Sequence, residues 1–264
     1  MKKLSLTILL IAFALAISSA GMAEDAPGYT DGPFLPNSKW RVHDQSRPQP
    51  KIVKPGTGDI GVTAPDDAVV LFDGSNLNAW QRTDGQAIGD GIADGAFDIV
   101  KTGQLRTNAE FGSCQLHLEW MTPQGPEDRM NWGNSGVFMM GLFELQVIES
   151  CASFIYADGN AGAIYGQFPP LVNPARKPGE WQSFDIFFTV PTFDGDKMLS
   201  PAYVTIVYNG VVVQNHQEIL GTVSHRVLPG PYPVQTQGPV TLQDHHSAVK
   251  FRNIWIRPIN TTEP

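Results

Sequence analysis

The stretch Val204-Thr205-Ile206-Val207-Tyr208-Asn209-Gly210-Val211-Val212-Val213-Gln214-Asn215 decides the fold. Two runs rich in β-branched residues flank Asn209-Gly210. Both residues of that pair tolerate the positive φ that a two-residue type I′ turn demands. The spacing predicts a hairpin in which Tyr208 faces Val211, Ile206 faces Val213 and Val204 faces Asn215. Val204, Ile206, Tyr208, Val211 and Val213 then share an apolar face, while Thr205, Gln214 and His216 share a polar one.

The same alternation extends outward. Phe184, Ile186, Phe188 and Val190 form one apolar row, and Leu116, Leu118 and Trp120 form another. Short apolar runs separated by Gly, Pro, Asn and Asp predict strands over 69–72, 97–100, 114–121, 136–140, 143–148, 182–190, 202–208, 211–216, 240–243 and 251–258. No window carries a long amphipathic helix, and no internal repeat is evident. Many short strands at this spacing predict an all-β sandwich or barrel.

Residues 24–66 are rich in Pro, Gly and Asp and read as an irregular arm that packs at Trp40 and Val42. Residues 1–23 read as a signal peptide. Lys2 and Lys3 precede an apolar stretch over 4–17, and small residues follow, with cuts expected at Ala20 or Ala23. No Cys lies near the cut to carry a lipid, so a periplasmic or secreted location is expected. No second stretch has transmembrane length, so no membrane insertion is expected after cleavage. Losing Lys2 and Lys3 takes the formal charge from −8 to −10, which argues against nucleic acid as a partner. Serine-nucleophile, phosphate-loop and dinucleotide fingerprints are absent. Cys114 and Cys151 are the only cysteines, and two readings stay open: a disulfide, or two separate thiols.

Seven blocks together resemble the 3-keto-disaccharide hydrolase family: LFDGSNLNAW (71–80), CQLHLEW (114–120), GNSGVFMMGLFELQVIES (133–150), AGAIYGQFPPLVN (161–173), KPGEWQSFDIFFT (177–189), YNGVVVQNH (208–216) and LQDHHSAVKFRNIWIRP (242–258). The chain departs from the family pattern at His246, at Ala248 and over 84–98. The resemblance implies a concanavalin A-like jelly roll, a two-sheet antiparallel sandwich, over residues 67–260. It also implies a carbohydrate ligand, a glycoside or disaccharide already oxidised at C3.

Within these blocks, period-two alternation puts Glu144 and Gln146 on one face, opposite Leu145 and Val147. A carboxylate beside an amide suits general base work or hydroxyl recognition. Glu144 and His245 are therefore the catalytic candidates. Glu119, Trp132, Asn134, Gln146, Tyr165, Lys177 and Asp244 are the substrate-binding candidates. Glu144 and Asp244 offer hard oxygen ligands for a divalent cation. Glu149 completes an E-x-Q-x-x-E spacing similar to that of laminarinase-like glycosidases, and a bulge would align it with Glu144. The expected reaction is C2 deprotonation, elimination of the aglycone and hydration. The alternatives are a non-catalytic carbohydrate-binding module and a direct two-carboxylate glycosidase.

Overall fold

The computed structural model describes residues 27–125 and 128–259. The expected signal peptide lies outside the described residues. Two antiparallel sheets face each other. The larger has the order Val211–Glu218, Tyr203–Tyr208, Gln182–Thr189, Cys114–Met121, Lys250–Pro258, Ala96–Asp98 and Ile92–Ala93, with Val69–Phe72 also paired to the Lys250–Pro258 strand. The smaller runs Trp80–Arg82, Leu105–Thr107, Thr241–Leu242, Ser135–Met139 and Phe143–Val147. This is the expected all-β sandwich of the jelly-roll type.

Alternation fills the space between the sheets. Leu116, Leu118, Trp120, Phe184, Ile186, Phe188, Ile206, Tyr208 and Phe251 point inward from the larger sheet. Leu105, Val137, Met139, Phe143, Leu145, Val147 and Leu242 meet them from the smaller. Each such side chain contributes roughly 1.5–3 kcal/mol by leaving water.

The decisive hairpin forms as expected at its turn, with Asn209 at φ 49° and Gly210 at φ 76°. Its register then slips. Ile206 faces Gln214 rather than Val213, and Val204 faces Gln217 rather than Asn215. Two bulges each add a residue on the outer strand, and the first lets Val213 stay buried. Gln214 is consequently buried as well, donating to Gly162 O at 3.0 Å and Pro169 O at 3.1 Å. The strand expected over 97–100 stops early. Asp98 caps a single helical turn, Ile99–Thr102, by accepting from Val100 N.

Cys114 lies in the core and Cys151 is exposed, and both are free thiols, which closes the disulfide reading.

Residues 27–66 are held at two places. Val53 N donates to Asn173 O, Gly56 N to Asn209 O and Gly61 N to Glu119, so residues 53–62 run across the outer face of the larger sheet. Farther upstream, Leu35, Val42 and His43 are buried, while Trp40 is only half-buried. This stretch docks beside the 156–167 loop.

Candidate active groove

The hairpin Ser135–Met139/Phe143–Val147 builds the floor of a groove on the face of the smaller sheet that points away from the core. Phe138 faces Glu144 across the pair, and Gly136 faces Gln146. Val137, Leu145 and Val147 take the core side, so alternation delivers Glu144 and Gln146 to the groove as expected. The outer edge of the Phe143–Val147 strand is extended by residues 161–165. Gln146 N donates to Ala163 O at 3.0 Å, and Tyr165 N donates to Glu144 O at 3.1 Å. Tyr165 is thereby fixed as the neighbour of Glu144.

The groove has two lobes, of about 220 and 480 Å³. They share Asn134, Gln146, Tyr165, His225 and His245 as walls. Jointly they match the roughly 300–1,000 Å³ of small-ligand sites. Glu144 and Gln243 line the first lobe, and Tyr29, Asp128, Asn131 and Tyr156 line the second.

Glu144 is 6% exposed, and no cation among the described residues pairs with it. Burial alone pushes its carboxyl up to about 8. Gln146, turned so that both ends of its amide are satisfied, donates to Ser135 O at 3.2 Å and to Glu144 Oε1 at 3.1 Å. Gly136 makes room for the carboxylate, since a Cβ there would stand 2.7 Å from Glu144 Oε1.

A second set of groups faces it. The Tyr165 hydroxyl lies 2.7 Å from the Tyr156 hydroxyl and 3.0 Å from His225 Nδ1. Burial raises both phenols above the ordinary range. His225 is lowered by burial and by the neighbouring His43, Arg226 and His245, which favours its neutral, proton-accepting form.

The structure thus brings together Glu144, Gln146, Asn134, Tyr165 and His245. It places four candidates elsewhere. Glu119 lies on the outer face of the larger sheet, beneath the arm, and is bonded to Arg252, Asn253 and Gly61 N. Trp132 is buried and donates its indole N–H to Pro123 O at 3.0 Å, so its ring presents no stacking face. Lys177 is exposed, with its backbone N–H bonded to the Glu180 carboxylate, and it lines neither lobe. Asp244 accepts from His246 N at 2.9 Å as a turn residue and also lines neither lobe. Glu149 turns back to accept from Cys151 N and Ala152 N at 2.6 and 2.8 Å, so no bulge aligns it with Glu144.

A divalent cation held by Glu144 and Asp244 does not fit this arrangement. Asp244 is committed to its turn, and among the described residues no cluster of three or more His, Cys, Asp or Glu side chains is arranged to hold a metal ion.

Sequence reasoning missed His225, Tyr156, His43 and Asp158. His225 and His43 lie in irregular segments where no periodicity aims a side chain. Tyr156 and Asp158 fall in a short loop between two of the matched blocks.

Fold and groove define a jelly-roll sandwich with a polar cleft over its smaller sheet. The chain belongs to the family described as the 3-keto-alpha-glucoside-1,2-lyase-like domain, whose model matches residues 67–257. A candidate glycosyl hydrolase from Parabacteroides distasonis ATCC 8503, solved at 2.13 Å, is 41% identical, with 81% of this chain and 93% of that chain covered at a TM-score of 0.72. Another candidate glycosyl hydrolase from the same organism, at 19% identity and a TM-score of 0.55 over 75% of this chain and 99% of that one, shares the fold. No curated protein matches the sequence.

Proposed function

We propose that the protein is an exported enzyme that cleaves 3-keto glycosides by elimination and hydration, with Glu144 as the base. One observation carries this reading: a buried carboxyl in a sugar-sized groove, with no cation paired to it among the described residues, its proton affinity raised to about 8 by burial. A base tuned toward the working pH is what abstraction of a carbon-bound proton requires. The C3 ketone acidifies C2–H. Glu144 takes that proton, and the electron pair delocalises onto the C3 oxygen. Gln146 and Asn134 are placed to hold substrate hydroxyls, and His245 stands at the rim.

The test is incubation with 3-keto and unoxidised disaccharides in D2O, followed by product analysis. The expected result is release of the aglycone from the keto substrate alone, with deuterium at C2 of the 3-keto sugar. Cleavage of the unoxidised disaccharide would instead support a two-carboxylate glycosidase. Its second carboxylate would be Asp128, which lines the second lobe and is held below the usual carboxylate range by Met130 N and Asn131. Binding with no turnover of either sugar would leave the binding-module reading. Export is tested separately, by a mature amino terminus near Gly21 or Glu24 in intact-mass measurement.

A further inference from the structure

Elimination needs a proton for the departing oxygen as well as a base for C2. We infer that Tyr165 supplies that proton, and that the amino-terminal arm, through His43 anchored on Asp158, holds Tyr165 and its partners in place. The assignment rests on the elimination reading above.

Tyr165 is the neighbour of Glu144 by a backbone hydrogen bond, it lines both lobes, and its hydroxyl is already engaged. Tyr156 OH at 2.7 Å is placed to donate to the oxygen that would become phenolate, and His225 Nδ1 at 3.0 Å holds it from the other side. Behind this pair stands His43, fully buried, its ring 3.9 Å from that of Tyr156, 4.9 Å from that of Tyr165 and 5.1 Å from that of His225. Asp158, also fully buried, grips His43 twice, at the backbone N–H (3.0 Å) and at ring Nδ1 (3.2 Å). His43 sits at φ 54°, a conformation that a non-glycine residue holds only when its surroundings fix it. Its Nε2 is buried without a hydrogen-bond partner. An orphaned buried nitrogen costs stability, which is tolerable where a site gains from the placement. His43 lies outside residues 67–257, so the support behind this wall of the groove comes from the arm.

The proton inventory balances with these two groups alone. Glu144 takes the C2 proton. The C1–C2 double bond then forms as the C1–O bond breaks, the bonding pair leaves with the aglycone oxygen, and that oxygen takes the Tyr165 proton. In the reverse sense water adds to C1 and gives its proton to the Tyr165 phenolate, while Glu144 returns a proton to C2. Both residues are reset and the sum is hydrolysis.

The test uses two 3-keto glucosides, one with a sugar leaving group and one with 4-nitrophenol, which departs without protonation. Tyr165→Phe should lose ~10²–10⁴-fold on the sugar aglycone, the range for a missing general acid, yet stay within about tenfold on the nitrophenyl compound. Glu144→Gln should lose both. His43→Asn and Asp158→Asn should show the same leaving-group split as Tyr165→Phe in weaker form, whereas a merely structural role would lower both substrates alike. Tyr156→Phe removes one hydroxyl only and keeps the test open if the His43 variant fails to fold. Equal losses on both substrates, or none, in Tyr165→Phe would overturn the assignment while the elimination reading stands. Wild-type protein that cleaves neither keto substrate would overturn both.

Discussion

Glu119 and Glu144 occupy equivalent positions in two strands of the same alternating design, and both are buried, at 0% and 6% exposure. They could hardly differ more in chemistry. Burial pushes the Glu119 carboxyl up, but the His117 ring 3.8 Å away and hydrogen bonds from Asn253, Gly61 N and Arg252 outweigh it and hold the group down at about 2. Its neighbour His117 is pulled down by burial, then raised to about 9 by Asp185 and Glu119. Glu144 has no cation paired with it among the described residues and rises to about 8. Burial sets the scale of a shift, and partners decide its sign. One glutamate is a pinned structural anion beneath the arm. The other can exchange a proton near neutrality.

The comparison is broken most severely by Glu144→Gln. Turnover of a 3-keto glycoside should fall by about two to four orders of magnitude. The thermal midpoint should not fall and should rise near neutral pH, because an amide of equal volume replaces an uncompensated carboxyl. Wild-type rates in this variant would remove Glu144 from the chemistry.

Gly136→Ala should follow, with a loss on the order of 10²-fold from displacing the carboxylate rather than removing it. Steady-state kinetics should put the loss mainly in kcat. An unaffected enzyme would mean that the placement of Glu144 is not critical.

Glu119→Gln should do the opposite of Glu144→Gln. It removes the charge that pairs with Arg252, leaves His117 paired with Asp185 alone, and should cost about 1–3 kcal/mol in denaturant unfolding. The rate per folded molecule should not change. Reduced turnover with unchanged stability would reverse the roles given to the two residues.

The last difference is in pH dependence, where the two glutamates give opposite slopes. Glu119 is depressed in the folded state, so its stabilisation is present above 4.5 and is lost as pH falls toward about 2. Glu144 is raised, so its folded form is favoured below 4.5 and loses ground as pH rises through about 8. Urea unfolding across pH should show wild type falling relative to Glu144→Gln between these values, while kcat/KM of the wild type rises through about 8. A flat difference between the two proteins would sink the raised proton affinity of Glu144.

Much of this was legible beforehand. The strands, the Asn209-Gly210 turn, the core rows and the groove-facing pair Glu144 and Gln146 follow from alternation and turn chemistry, which act over a few residues. The same alternation could not distinguish Glu119 from Glu144, because an outward face reads alike whether water, an arm or a substrate covers it. It also could not foresee the bulge that buries Gln214.

The sequence by itself determined an all-β sandwich or barrel, which the family resemblance narrowed to a two-sheet jelly roll, and which side chains alternate toward its outer faces, since a strand's period of two is set by local backbone geometry. Only the tertiary structure decided which glutamate is paired with a charge and which has only an amide beside it. The deciding contacts join Gly61 to Glu119 across 58 residues, Arg252 to Glu119 across 133, and His43 to Asp158 across 115. The first and last depend on how the arm folds back over the sandwich, the second on the pairing of Cys114–Met121 with Lys250–Pro258, and no local pattern encodes them.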